Sequence, residues 1–202
     1  MVSNEEILVN KRNGRGKEAL QIDKIHAMVG FATDGITGVS ASHVEMNSGI
    51  QLFDGISTAD IQQILIKSAN DLITLENPNY QYVAARLLLF SLRKQLFHRL
   101  WDHPKLIDHI KKLIDMGLYD KDILVNYDES EIDRMNMWID HERDYNFTYA
   151  GLRQVMDKYL VQDRSTGEIF ETPQFMYMMI SATLFAQYPK DKRMSYVKKY
   201  YD

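Results

Sequence analysis

Four cations, Lys11, Arg12, Arg15 and Lys17, crowd a stretch that also holds Asn13, Gly14 and Gly16. That mixture suits a tight turn, where cationic side chains and free backbone N–H groups can face a single anion together. A triphosphate would satisfy such a cluster; so would water around a basic hairpin tip, and nucleic acid is a further option. Thr58 follows Ser57 at a helix start. Its hydroxyl and the neighbouring amides could hold phosphate at the positive end of the helix dipole, or Ser57 and Thr58 could simply cap the helix. Lys94 lies toward the end of a long helical stretch, where a lysine either reaches an anion or snorkels into water. These positions make a site only if the fold converges them. The histidines do not suggest a metal: His98, His103 and His109 are spaced by five and six, which spreads them around a helix, and no His-Glu-x-x-His occurs. With no cysteine, thiol catalysis, thiolate metal sites and disulfides are excluded from this chain.

The elements that must carry these residues follow from pattern. Residues 7–12 and 19–22 are apolar-mixed runs flanking the glycine-rich turn, which predicts a hairpin. Asp23 as an N-cap, with Ile25, Met28, Val29 and Ala32 behind it, predicts a short helix ending near Gly35. Ser57 with Asp60 resembles a capping box, and the stripe Ile61, Ile64, Leu65, Ala69, Leu72 continues as a helix. Pro78 opens a second long helix running to about Leu100. After Pro104 the apolar spacing is again helical until Gly117. A second hairpin is expected from residues 159–161 and 168–170, then a buried, methionine-rich helix over 175–185. The fold class is therefore mainly α with small β-hairpins (α+β), without repeats or a flexible linker.

At 202 residues and 45% hydrophobic, the chain can bury a core for one domain or two small ones. A formal charge of -4 argues against wholesale nucleic-acid binding, which needs a basic surface to displace counterions. No apolar stretch approaches the ~18 residues of a membrane span and no secretory leader is seen, so a cytoplasmic location without membrane contact is the expectation.

Read whole, the strings Leu8-Val9-Asn10-Lys11-Arg12-Asn13-Gly14, Ile22-Asp23-Lys24-Ile25, Asp54-Gly55-Ile56-Ser57-Thr58-Ala59-Asp60-Ile61 and Tyr80-Gln81-Tyr82-Val83-Ala84-Ala85-Arg86-Leu87 resemble, in order, an ATP-cone domain. Further on, His141-Glu142-Arg143-Asp144 with Phe147-Thr148-Tyr149, and Lys158-Tyr159-Leu160-Val161 with Thr166-Gly167-Glu168-Ile169, resemble the class I ribonucleotide reductase large subunit. The resemblance covers essentially the whole chain. It implies an ATP-cone regulatory domain over residues 1–97 and a truncated helical start of the catalytic domain, ahead of its ten-stranded barrel, over 98–202. The implied ligand is ATP or dATP, with Mg2+, as allosteric effector. Carried over by position, Lys11, Lys24, Thr58 and Lys94 hold phosphates with Arg12 nearby. Glu18 and Gln21, on the second strand, face the adenine, and Ala19, Leu20, Ile22 and Asp23 complete that segment.

The resemblance also implies partners: the remainder of the large subunit, on the same or a separate chain; a radical-generating small subunit; and thioredoxin or glutaredoxin acting through the complete enzyme. In this family the first redox-active cysteine follows shortly after the segment that Tyr200-Tyr201-Asp202 resembles, so this chain alone is expected to be inactive, as an excised piece or one part of a split subunit. Residues such as Phe175, Met176, Met179, Ile180 and Leu184 are then expected to need a partner to cover them. Three departures stand out. The turn over 13–17 is one residue longer than in bacterial members, Gln21 stands in place of asparagine, and Gln62 and Ser91 stand in place of histidines lining the effector pocket. The last change predicts weak inhibition by dATP. The alternatives are a free-standing ATP-cone regulator, which usually carries a cysteine-paired zinc ribbon, and a helical interaction protein with no ligand.

Overall fold

The computed structural model describes residues 7–11, 16–49, 54–98 and 101–202. Arg12, Asn13, Gly14, Arg15 and Leu100 lie outside the described residues. The chain divides into two compact units, Met1–Ser91 with Tyr145–Arg153, and Leu92–Asp144 with Gln154–Asp202. Among the described residues the fold is mainly helical with one small antiparallel hairpin.

In the first unit β1 (Leu8–Asn10) pairs with β2 (Lys17–Ala19), with Leu8 opposite Ala19 and Val9 opposite Glu18. β1 is shorter than the run expected over 7–12, and β2 lies ahead of the run expected over 19–22, sharing only Ala19 with it. β2 stops at Ala19 because the chain turns directly into α1 (Ile22–Thr33), whose N-cap is Gln21 in extended conformation. Gln21 and Ile22 therefore belong to a helix start, not to a strand, and Asp23 sits in the first turn, where its charge suits the dipole, instead of capping. α2 (Ala41–Ser48) had no sequence signal: Val44 is its one buried side chain. Its carbonyl accepts from the Ser68 hydroxyl at 2.6 Å, which fixes α2 to α3 (Thr58–Asp71). α3 begins as expected, with Ser57 Oγ accepting from the Asp60 amide at 3.0 Å. α4 (Tyr80–Phe97) contributes its first turns to this unit, where Val83, Ala84 and Leu87 are fully buried with Val29, Ala32 and Leu65.

The second unit holds α5 (Leu106–Asp115), α6 (Asp122–Asn126), α7 (Glu129–Trp138), the last turn of α8 (Tyr149–Lys158), α9 (Pro173–Phe185) and α10 (Lys190–Tyr201). A 3-10 turn spans His141–Asn146. Asp128 and Glu131 form a reciprocal capping box at the start of α7, each side chain accepting from the other's amide at 3.0 Å. The core joins Leu106, Ile110, Ile132, Phe175, Met178 and Val197. Two expectations are corrected here. The second hairpin reduces to a single bridge, Gln162 opposite Ile169. The Val161 amide donates to the Glu171 side chain at 2.8 Å, so it is not available to extend a ladder. Phe175 and Met176 are 0% and 6% exposed within this unit's own core, so of the apolar residues expected to need a partner only Ile180 and Leu184 stand out, at 42% and 53%.

Candidate nucleotide-binding site

The hairpin and the start of α3 are sewn together by backbone. The Asn10 amide donates to the Ile56 carbonyl at 3.0 Å, its side chain donates to the Gly55 carbonyl at 2.6 Å, and Asn10 and Ser57 form a parallel bridge. The Leu8 amide donates to Asp54 Oδ1 at 3.1 Å and accepts, through its carbonyl, from the Gly55 amide at 2.8 Å. Gly55 adopts φ +87, a conformation that a β-carbon would strain. Lys11 follows Asn10 directly, and its amide closes the turn on the Gly16 carbonyl at 3.0 Å. Lys11 thus follows by one residue the strand position that bridges to Ser57, the N-cap of α3, whose first helical residues Thr58 and Ala59 have amides with no acceptor inside the helix. Thr58 is half-buried. That end suits an anion, although the Asp60 carboxylate, accepting from Ser57 Oγ at 2.6 Å, already adds one negative charge.

Across the hairpin Lys11 Nζ lies 2.8 Å from Glu18, both side chains being well exposed. The Lys11 hydrogen bond holds the Glu18 carboxyl below its usual range, and the charge of Lys24 acts in the same direction. Lys11, Glu18 and Lys24 thus share one electrostatic neighbourhood. Ala19 and Leu20 are half-buried, with the Leu20 amide donating to the Ile7 carbonyl at 2.8 Å, while Gln21, Ile22 and Asp23 are exposed. The hairpin and the start of α3, which carries Thr58, are joined through Asn10 and Ser57, while Gln21, Ile22 and Asp23 follow the hairpin at the start of α1. Lys94, half-buried near the end of α4, is counted in the second unit, and Arg12 is outside the described residues. Gln62 is 2% exposed and donates to the Leu87 carbonyl at 2.9 Å, tying α3 to α4.

Sequence reasoning missed a second group of polar residues, buried in the second unit. Arg93 donates to the His141 carbonyl at 2.6 Å and lies 3.5 Å from Asp144 Oδ2. Gln174 donates to Asp144 Oδ1 at 2.8 Å and accepts from the Tyr201 hydroxyl at 2.7 Å. Burial raises the Asp144 carboxyl to about 6 against the opposing pull of Gln174 and Arg93. His103 and His141 stack at 3.6 Å, and His109 stacks on Phe175 at 4.3 Å. Burial lowers these imidazoles to about 4 for His103, 4 for His109 and 3 for His141. Among the described residues no cluster of three His, Cys, Asp or Glu is placed to hold a metal, and no helix is long and apolar enough to cross a membrane. The string His141-Glu142-Arg143-Asp144 was the available signal for this network, but nothing in its spacing announces burial.

The first unit is therefore a hairpin stitched to a helix N-terminus, and the second unit is mainly helical. The family model for the ATP cone domain matches residues 7–95, and that for the ribonucleotide reductase all-alpha domain matches residues 145–202. The chain is 48% identical over 199 residues to the ribonucleoside-diphosphate reductase subunit alpha of Haemophilus influenzae, covering 98% of this chain and 26% of that protein. Against ribonucleoside-diphosphate reductase 1 subunit alpha of Escherichia coli the identity is 47% over the same shares. Against the subunit alpha of Enterobacteria phage T4 it is 40% over 196 residues, 96% of this chain and 26% of that protein. Over nearly its whole length the chain is thus similar to ribonucleoside-diphosphate reductase alpha subunits, and the ATP cone and all-alpha domain matches fall within that similarity. It spans about a quarter of the length of the relatives it matches. It contains no cysteine.

Proposed function

We propose that this chain senses ATP or dATP, bound with Mg2+, and through that site regulates the reduction of ribonucleoside diphosphates carried out by the longer polypeptide. Lys11, Lys24, Thr58 and Lys94 hold phosphates with Arg12 beside them; Glu18 and Gln21 face the base; Ala19, Leu20, Ile22 and Asp23 shape the segment between. In this reading the sensing domain covers residues 1–97 and the helical domain 98–202. The observation that supports it is the Asn10–Ser57 bridge, one residue before Lys11 and at the N-cap of α3. The remainder of the large subunit supplies the thiols, a radical-generating small subunit and thioredoxin or glutaredoxin supply radical and electrons, and the cytoplasm is the compartment.

Equilibrium dialysis of radiolabelled ATP against the purified chain tests this. Micromolar affinity, about -8 kcal/mol, is expected, and Lys94→Glu abolishes it by turning an attraction into a repulsion. Unchanged affinity in that variant defeats the phosphate placement. dATP is expected to bind as ATP does and to inhibit the complete enzyme only weakly. Gln62 is committed to the Leu87 carbonyl, and an effector shifts a switch only by its differential affinity for the two states. Strong inhibition at dATP concentrations near its Kd contradicts this.

A further inference from the structure

Three imidazoles of the second unit each keep a buried ring nitrogen that has no hydrogen-bond partner among the described residues: His103 Nε2, His109 Nε2 and His141 Nδ1. Two of these residues, His103 and His109, line a cavity of about 460 Å3 at the start of α5. His109 is 3% exposed. A polar atom that leaves water and gains no partner costs stability, so two such atoms on residues of one cavity wall call for an occupant.

The tautomer of His103 says what that occupant must offer. Its ring donates to the Trp101 carbonyl, and since Nε2 has no partner the donor is Nδ1. Nε2 therefore carries a bare lone pair and needs a donor. Burial holds both imidazoles at about 4, so they are neutral at pH 7 and do not repel a cation. Exposed Asp102 and Asp108 add two carboxylates to the lining, and exposed Lys112 adds one ammonium. The charge of Arg93 also reaches His103, but Asp144 lies 3.5 Å from it and offsets it. The Leu106 amide, at the start of α5, already donates to Asn136 Oδ1 at 2.8 Å and is not open to an anion. The lining is thus rich in acceptors and negative on balance. Its apolar part is Phe97, edge-on to His103 at 5.6 Å, and Pro104. A ring face beside carboxylates and a lone pair suits a planar cation, which gains from the ring and from N–H bonds to the carboxylates together.

We propose that this cavity binds a small organic cation with a planar, N–H-bearing head, an amidinium or a guanidinium. One N–H donates to His103 Nε2, others meet Asp102 and Asp108, and the flat body lies against Phe97 and Pro104. The two carboxylates repel inorganic phosphate. Every lining residue is counted in the second unit, and the proposal does not depend on the nucleotide reading.

The probe is benzamidine, titrated into the full chain by isothermal titration calorimetry, with benzamide and benzoate as neutral and anionic controls of the same shape. Benzamidine binds saturably, benzamide about tenfold more weakly, and benzoate not at all. Asp108→Asn weakens benzamidine severalfold, whereas Lys112→Gln, which removes a like charge, tightens it. Both positions are exposed, so neither variant moves the thermal melt. His103→Phe keeps a ring against His141 but removes the lone pair, and weakens benzamidine about tenfold. If that variant folds poorly, the opposite signs at Asp108 and Lys112 still decide the matter. Saturating ATP leaves benzamidine affinity unchanged. Absence of saturable binding shows that water alone satisfies the imidazoles, and the proposal falls. Benzamide or benzoate binding as tightly as benzamidine overturns the assignment of a cation. Affinity unmoved by both Asp108→Asn and Lys112→Gln, or competition by ATP, puts the cation elsewhere and overturns the placement.

Discussion

Two ion pairs in this chain have similar geometry and opposite meaning. Lys11 and Glu18 meet at 2.8 Å with side chains 44% and 36% exposed, whereas Arg193 and Glu131 meet at 2.6 Å with 8% and 2%. The first bridges a short hairpin and has few other commitments. The second is held on all sides: Arg193 also lies over the Tyr127 ring at 4.4 Å, and Glu131 accepts from the Asp128 amide as part of the α7 cap. Water around the exposed pair makes it cheap to break, so a phosphate can take Lys11 from Glu18. Desolvation makes the buried pair costly to halve, so it holds α10 on α7 and is not free to exchange. Charge that stays free to be redirected and charge locked in a core are therefore told apart by what else each partner touches.

The largest effect should come from halving the buried pair. Glu131→Ala leaves the Arg193 guanidinium without its carboxylate in a site nearly closed to water, and it removes half of the α7 capping box. A loss of about 3 to 5 kcal/mol is expected in urea unfolding of the second unit. Replacing both partners, as Glu131→Met with Arg193→Met, recovers much of it, since no isolated charge remains. If Glu131→Ala costs less than about 1 kcal/mol, the contrast between the two pairs is lost.

Next in size is a pH effect confined to the second unit. Three imidazoles, half-buried His103, buried His109 and half-buried His141, have folded pKa values near 4, 4 and 3, below the ordinary 6.5. For a base lowered by folding, stability is present above the unfolded value and drains away as pH falls from 6.5 through the folded value. For His109, 3% exposed, the shift corresponds to on the order of 3 kcal/mol. Asp144 runs the other way. Its folded value of about 6 exceeds the ordinary 3.8, so its stabilising share is present below 3.8 and is lost as pH rises through 6. Three groups outweigh one, so the unit should lose stability between about pH 6.5 and 4. Melts followed by tryptophan fluorescence, with His109→Phe as control, check this; a flat profile across that window contradicts the burial of the imidazoles.

Legibility in the sequence followed the range of the interactions. Ser57 with Asp60, Gly117 after α5 and the methionine-rich α9 are local signals, and all three hold in the fold. The second hairpin was overread because Asp163 closes its own turn onto the Ser165 amide at 2.8 Å while Glu171 takes the Val161 amide, choices that no alternation pattern encodes. α2 escaped notice because one buried side chain, Val44, makes no periodicity. The joining of the strand that precedes Lys11 to the segment that precedes Thr58 depends on hydrogen bonds between residues about 45 positions apart, Asn10 to Gly55 and Leu8 to Asp54. Composition could suggest each half of that site, but only the ordered strings tied the halves to one ligand.

The smallest expected effect on folding, and the sharpest test of the comparison, is Glu18→Gln. Glu18 is exposed and its carboxyl is lowered chiefly by the Lys11 hydrogen bond, so removing its charge dissolves the pair without leaving a buried ion behind. The thermal midpoint of the nucleotide-free chain should not move, in contrast to Glu131→Ala. Ligand binding should move in two directions at once. Lys11 and Lys24 lose a competing anion, so inorganic tripolyphosphate should bind severalfold more tightly, most visibly at low salt where Coulomb interactions are least screened. If Glu18 faces the adenine, the variant should also discriminate less between ATP and GTP, because the acceptor that reads the adenine amino group has weakened. A melt lowered as far as that of Glu131→Ala would show that Glu18 is structural. Unchanged affinity for tripolyphosphate would show that the pair with Lys11 does not compete with phosphate, and the hairpin would then have to be read as a fixed tip.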